Sequence, residues 1–244
     1  INYIYHTIMG RLLGPASYSE LAALFSIINL IGIITVSLGI VVTKYVSSAK
    51  SKAEIRLFLS WLNKKIFYSS LILAVIFILM SYTINTFLNL SNISPLLLIA
   101  FTFLFSFPLF INRAVLQGLL RFKESAWILI IEHSIKLLLG LLLVTLGFSV
   151  SGAVFGVLFA LIIVWVLSWY LLRDFFKSPN GKFNDIKPIF FYSLPVLIQS
   201  ITIASLSSAD LILVKHFFNA HEAGIYASVS TLGKIIFFGA GPVA

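Results

Sequence analysis

Long apolar runs separated by short polar connectors dominate this sequence. Six of them approach or exceed the roughly 20 residues that a helix needs to cross a bilayer: residues 17–42, 66–87, 93–120, 125–146, 150–172 and 189–214. A shorter run at 1–13 precedes them, and another begins near Ala223. None alternates with period two, as a membrane barrel strand would. The pattern predicts an all-α polytopic membrane protein with about eight helices represented, and we expect the chain to be a fragment cut at both ends.

Composition supports lipid as the main solvent. Of the 244 residues, 60% are apolar and 10% are charged, whereas ordinary soluble domains are about 45–50% apolar and about 25% charged. A soluble fold of this length leaves much of its surface in water and could not bury so much apolar area. The sequence contains no cysteine, so disulfide and thiol chemistry are excluded within it.

The basic residues predict the orientation of the crossings. Twelve of the 17 Lys and Arg residues lie in alternate connectors, at 43–65, 121–124 and 173–188, and two lie in the other connectors. The positive-inside rule places the twelve in the cytoplasm, which predicts a multi-pass protein of the cell membrane. The net charge of +9 is therefore a feature of topology, and no nucleic-acid partner is expected.

The first basic connector contains an apolar stripe. Ile55, Phe58, Leu59 and Leu62 follow the i, i+3, i+4, i+7 spacing of one helix face. This spacing predicts an amphipathic helix lying on the membrane surface.

Three basic residues, Arg113, Lys136 and Lys234, fall inside the apolar runs. Lys136 is roughly 20 Å from the cytoplasmic end of its helix, and Lys234 is about 18 Å from the outer end of the last helix. A charge at the bilayer centre costs about 2.5–3.5 kcal/mol on insertion scales, so such residues usually face a cavity or a partner. Arg113 is about 12 Å from Arg121, so snorkelling to the interface is the alternative for it.

The acids inside the runs have two interpretations. Glu132 and Lys136 have the i, i+4 spacing of a neutralising ion pair. Glu20 and Asp210 lie near outer helix ends, where each can cap a helix, pair with a nearby cation or bind a coupling cation. We expect a structural role for Glu20 and leave both roles open for Asp210.

Catalytic and metal chemistry lack a sequence basis. The four histidines have no metal-ligand spacing with each other or with acids, and no glycine-rich phosphate loop follows a strand. We expect no metal, no organic cofactor and no enzymatic activity.

Two segments predicted at the outer side show a similar pattern. They are RLLGPASYSELAALFSI at 11–27 and FNAHEAGIYASVST at 218–231, offset by 205 residues. The first resembles the LGP-x-x-Y-G-x-Y hairpin of polysaccharide-biosynthesis flippases in the multidrug/oligosaccharidyl-lipid/polysaccharide exporter (MOP) superfamily. LQGLLRF at 116–122 and the segment 193–227 are similar to helices four and seven of that family.

The resemblance implies twelve or fourteen helices in two six-helix lobes around a central cavity. Residues 1–187 would form the first lobe, and residues 188–244 would open the second with helix seven and part of helix eight. The implied function is flipping a polyprenyl-diphosphate-linked oligosaccharide to the outer leaflet for surface polysaccharide synthesis, by alternating access of the lobes. Polysaccharide polymerase and glycosyltransferases are the candidate partners beside the lipid bilayer and the lipid-linked glycan.

Charge and resemblance together predict the site. Arg113, Lys136 and Lys234 are the candidate substrate-binding residues, because cations in a water-filled cavity attract a diphosphate. Glu132, Asp210 and Glu20 are the candidates for ion pairs or for coupling to Na⁺ or H⁺. The alternatives are a cation-coupled multidrug exporter, a lipid II or sporulation flippase, and a membrane scaffold without transport.

Overall fold

The computed structural model describes residues 1–176 and 186–240, and for 186–192, 207 and 235–240 it describes the backbone alone. Within these ranges the chain is helical and has no strand. The helices are α1 (Asn2–Ser48), α2 (Lys52–Phe87), α3 (Ser94–Gly118), α4 (Phe122–Leu143), α5 (Ser149–Leu172), α6 (Ile186–Phe217) and α7 (Ala220–Ala240). The all-α polytopic class is confirmed. Lys177 and Lys182, predicted in the cytoplasmic connector, lie outside the described residues.

Helix α1 is a hairpin of two arms, residues 2–13 and 15–48, which meet at Gly14. Gly14 has φ 71° and ψ 171°, a conformation that is essentially restricted to glycine. A straight helix would separate Tyr5 from Phe25 by about 30 Å, yet their ring centroids are 6.0 Å apart. Gly14 therefore forms the turn expected between the runs 1–13 and 17–42, and this turn is tighter than expected, because the second arm already begins at Pro15.

A second hairpin joins α4 to α5. A π-helical turn, Val144–Phe148, links the two helices, and Gly147 within it has φ 92°. Close to this turn Gly156 of α5 packs on the backbone of Gly140 of α4, where an added Cβ would lie 2.7 Å from the Gly140 nitrogen. Small residues at such crossings let two membrane helices approach closely. With the two arms of α1 counted separately, the described ranges contain eight helical segments.

The expected surface helix in the first connector is wrong. Its residues form the first turns of α2, whose N-terminus is capped by the Ser51 hydroxyl accepting from the Glu54 amide. The apolar stripe Ile55, Phe58, Leu59 and Leu62 is buried against the protein, with the Phe58 ring 4.2 Å from the Tyr45 ring. An amphipathic face has the same spacing whether it covers lipid or protein, so the sequence pattern could not separate the two.

Contacts between helix ends match the predicted order of crossings. On the side predicted to be outer, the Ser94 and Ser151 hydroxyls are 2.8 Å apart. On the side predicted to be cytoplasmic, Arg121 Nη1 donates to the Leu171 carbonyl at 3.1 Å. Helix α1 is central and contacts α3, α5, α6 and α7.

Apolar surface on the outside of the bundle is extensive. On α2, for example, Leu79 and Tyr82 are 77% and 76% exposed. Helix α6 is bent by 44° between Ser193–Leu206 and Ser208–Phe217. Four helical stretches are long and apolar enough to cross a bilayer, and the bent α6 pair makes a fifth. Because hydrocarbon solvates such a surface without cost, the molecule is a multi-pass membrane protein.

Candidate functional site: cavities along helix α1

Three adjoining cavities follow the second arm of α1. The Asn2 cavity has a volume of about 600 Å³, the Gln199 cavity about 440 Å³ and the Arg113 cavity about 310 Å³. Asn29 and Lys234 line both of the first two cavities. Val36 and Ile40 line both of the last two. The shared walls place the three cavities in a row, with Lys234 between the first two and Arg113 in the third.

Lys234 of α7 lies between the Asn2 and Gln199 cavities. Its Nζ is 3.9 Å from Asp210 Oδ1 on α6, and both side chains are only partly exposed. Asp210 Oδ2 accepts hydrogen bonds from the hydroxyls of Tyr226 and Ser230, each at 3.1 Å. Asp210 is therefore held by α7 on one oxygen and faces the Lys234 ammonium with the other.

Arg113 of α3 lines its own cavity and pairs with an acid from α4. Its Nη1 is 3.6 Å from Glu132 Oε2, and its guanidinium lies 5.6 Å from the centroid of the Phe110 ring. The ion pair of Glu132 is therefore with Arg113, whereas the close contacts of Lys136, the alternative partner suggested by the i, i+4 spacing, are Asn2 and two aromatic rings. The i, i+4 rule considers one helix alone, whereas the packing of α3 on α4 brings Arg113 to the same carboxylate.

Lys136 supports the wall of the Asn2 cavity. Its Nζ donates to Asn2 Oδ1 at 2.9 Å and lies 4.2 Å and 4.5 Å from the ring centroids of Tyr5 and Phe25. Such cation–π contacts stabilise an ammonium that is removed from water. Asn2 and Phe25 both line the Asn2 cavity, so Lys136 fixes two residues of its wall.

Glu20 lies apart from this row of cavities. The side chain is 7% exposed, and its Oε1 accepts from the Ser91 amide at 3.1 Å and the Ser91 hydroxyl at 2.6 Å. The carboxylate ties the start of the second arm of α1 to the connector between α2 and α3. This contact agrees with the structural role expected for Glu20.

A polar network missed by the sequence analysis joins α1 to α7. The Tyr18 hydroxyl is 3.3 Å from His6 Nδ1 and 3.2 Å from the Thr231 hydroxyl. His6 also lines the Asn2 cavity. Tyr18 is the tyrosine of the LGP-x-x-Y hairpin, so its position in that motif was the available signal. The sequence contained no signal for His6, because only the folded arrangement of α1 brings it beside Tyr18.

No group of three or more His, Cys, Asp or Glu residues that could hold a metal ion occurs among residues 1–176 and 186–240. The polar groups of the cavities are cations, carboxylates, amides and hydroxyls. Groups of this kind are able to hold a charged or polar ligand through hydrogen bonds and ion pairs.

An apolar helical bundle around such a row of partly open cavities defines a polytopic membrane protein with ligand-sized cavities between its helices. The sequence matches the family model described as "Polysaccharide biosynthesis protein" over residues 1–243. The chain therefore belongs to the polysaccharide biosynthesis protein family.

The fold is similar to a solved structure titled "Inward-facing conformation of a multidrug resistance MATE family transporter of the MOP superfamily". The two share 18% sequence identity with a TM-score of 0.65, and the match covers 100% of this chain and 59% of that one. No curated protein matches the sequence significantly. The likeness shows that the fold resembles that of the MATE transporter, and the family model confirms the expected polysaccharide biosynthesis family.

Proposed function

We propose that the protein flips a polyprenyl-diphosphate-linked oligosaccharide from the cytoplasmic to the outer leaflet of the cell membrane for surface polysaccharide synthesis. The observation that carries this proposal is the position of Arg113 and Lys234, which line adjoining cavities along α1. Cations at these depths are costly in a membrane unless a ligand or partner uses them. A diphosphate offers several anionic oxygens to such groups.

Alternating access would proceed by movement of two lobes about the cavities. We propose that residues 1–187 form the first lobe and that residues 188–244 open the second. Helices α6 and α7 of the second part pack on α1, so the row of cavities would lie between the lobes. Glycosyltransferases would supply the lipid-linked glycan, and a polymerase would consume it.

A multidrug exporter is the second candidate. The structural neighbour's title describes a multidrug resistance transporter, and most of the surface that lines the Gln199 cavity is apolar. A cationic drug would need Asp210 or Glu132 as its counterion. Each of these acids already faces a basic residue, so the flippase is favoured. A lipid II flippase shares the diphosphate chemistry and differs in the glycan.

The test uses depletion of the full-length protein in its own host. Lipid-linked oligosaccharide is quantified in each leaflet through its protection from glycosidase added to spheroplasts. We expect the surface-polysaccharide intermediate to accumulate on the cytoplasmic side. Accumulation of lipid II instead would select the peptidoglycan alternative, and unchanged levels and sidedness of both lipids would contradict the proposal.

A further inference from the structure

Each basic residue that lines the cavities has one carboxylate close to it, and both ion pairs are long. Arg113 Nη1 and Glu132 Oε2 are 3.6 Å apart, and Lys234 Nζ and Asp210 Oδ1 are 3.9 Å apart. Charge-assisted hydrogen bonds are usually about 2.7–2.9 Å long. The pair at the cytoplasmic surface, Arg121 with Glu124, meets that standard at 2.9 Å. In each cavity pair the two charged groups therefore attract each other without forming a hydrogen bond between these atoms.

Both carboxylate oxygens of these pairs, and a second nitrogen of Arg113, are buried and unsatisfied. Arg113 Nε, Glu132 Oε2 and Asp210 Oδ1 are removed from solvent and have no hydrogen-bond partner within the part of the chain that the structure describes. Buried polar groups in native proteins are nearly always hydrogen-bonded, and an unmade bond costs free energy. A ligand that supplies anionic oxygens to the cations and hydroxyl donors to the acids satisfies all three atoms.

We infer that Glu132 and Asp210 are exchangeable counterions, which hold Arg113 and Lys234 in the empty cavity and yield them to the diphosphate oxygens of the substrate. This inference rests on the proposed function. It assigns to the two acids a role that differs from coupling to Na⁺ or H⁺. The carboxylates compete with the substrate for the same cations, so they weaken its binding and hasten its release.

The geometry around Asp210 suits such an exchange. Its Oδ2 keeps the hydroxyls of Tyr226 and Ser230 when Lys234 turns to a phosphate. The carboxylate thus stays in place and recaptures the ammonium after the substrate leaves. Glu132 and Arg113 belong to different helices, α4 and α3, so a small change in helix packing also lengthens that pair.

The test measures binding of undecaprenyl diphosphate to the full-length protein in nanodiscs of neutral lipid. Glu132→Gln and Asp210→Asn each remove one competing charge and nearly preserve side-chain shape. We expect each variant to bind the lipid roughly three- to tenfold more tightly, the range that corresponds to a partly screened ion pair. The maximal flipping rate should fall in the same variants, because release slows.

Glu124→Gln is the matched control, since it removes the same charge from an ion pair outside the cavities. It should leave the affinity and the flipping rate unchanged. Because Glu132 and Asp210 lie on different helices, the second variant still tests the inference if the first one fails to fold. Tightening by Glu124→Gln as well would contradict the inference, because it would show a general effect of net charge.

The remaining outcomes separate the inference from the function. If Arg113→Gln and Lys234→Gln weaken binding while Glu132→Gln and Asp210→Asn do not strengthen it, the counterion role is wrong and the flippase stands. If the wild-type protein does not bind undecaprenyl diphosphate and Arg113→Gln and Lys234→Gln leave flipping unchanged, both the function and the inference fail.

Discussion

At the scale of single residues, replacing Lys234 is the most direct test of the site. It lines two cavities and faces an acid that is itself held by two hydroxyls. Lys234→Gln removes the positive charge and leaves a polar side chain of similar length. We expect flipping of the lipid-linked glycan to fall roughly tenfold or more, as expected for losing a partly desolvated charge contact.

The matched control for this variant is Lys64→Gln, an exposed lysine in the first half of α2, close to the end predicted to be cytoplasmic. It changes the net charge equally and should leave the flipping rate unchanged. Equal loss in both variants, measured by glycosidase protection in proteoliposomes, would contradict a specific role for Lys234.

Lys136 has a different expected phenotype. Its ammonium packs on the Tyr5 and Phe25 rings and bonds Asn2, so Lys136→Gln should lower the free energy of unfolding by about 1–2 kcal/mol. Lys136→Arg keeps the cation and should retain most of that stability. A melting temperature in detergent measures the effect. An unchanged melting temperature together with lost flipping would instead assign Lys136 to direct substrate contact.

The cations of the site could be predicted from sequence, but their partners could not. Helix rise alone identified Arg113, Lys136 and Lys234 as charges deep in the membrane. Pairing depends on neighbours from other helices, and it joined Glu132 to Arg113 across α3 and α4. The ring contacts of Lys136 likewise require the two arms of α1 to fold together.

At the scale of helices, the close approach of α4 and α5 depends on Gly156. An added Cβ would press on the Gly140 backbone, which cannot move aside as a flexible side chain can. Gly156→Ala should therefore lower stability by roughly 1–3 kcal/mol, measured as a lower melting temperature in detergent.

Gly32→Ala on α1 is the control for the change of glycine to alanine. Nothing lies within 4 Å of its added Cβ, so the melting temperature should stay the same or rise, because alanine favours helix. Equal melting temperatures for Gly156→Ala and the wild type would show that the α4–α5 contact is looser than described.

Helix number and order could be predicted from the apolar runs, while one helix start could not. Basic connectors and Gly14 correctly located the turns, because charge and positive φ are local properties. The start of α2 at Lys52 was missed because its first turns are amphipathic and solvated only on one side. Burial of Phe58 and Leu62 against the protein is decided by tertiary packing alone.

At the scale of the whole molecule, the two similar hairpins meet. Gly224, in the first turns of α7, packs directly on the backbone of Pro15, just after the turn of α1, with no room for a Cβ. The basic-residue distribution places this contact at the outer side. Similar segments 205 residues apart in sequence thus meet at the same end of the bundle.

Gly224→Ala should separate these hairpins and open the outer side. A single cysteine at Ser228, which lines a cavity of about 260 Å³ with Tyr18 and Thr231, reports the opening through a membrane-impermeant maleimide. We expect a labelling rate several-fold higher than in the parent. Gly233→Ala lies on the same helix and has open space at its Cβ, so it should leave the labelling rate unchanged. Equal labelling rates in the parent, Gly224→Ala and Gly233→Ala would contradict an outer closure at Pro15.

The central claim is that the protein itself moves a diphosphate-linked glycan across the bilayer. The most direct measurement reconstitutes the purified full-length protein in liposomes with fluorescent polyprenyl-diphosphate oligosaccharide and follows its access to external glycosidase. We expect protein-containing vesicles to equilibrate the substrate between leaflets far faster than empty ones, and Lys234→Gln to slow this exchange. Equal rates in empty and protein-containing vesicles would contradict the central claim.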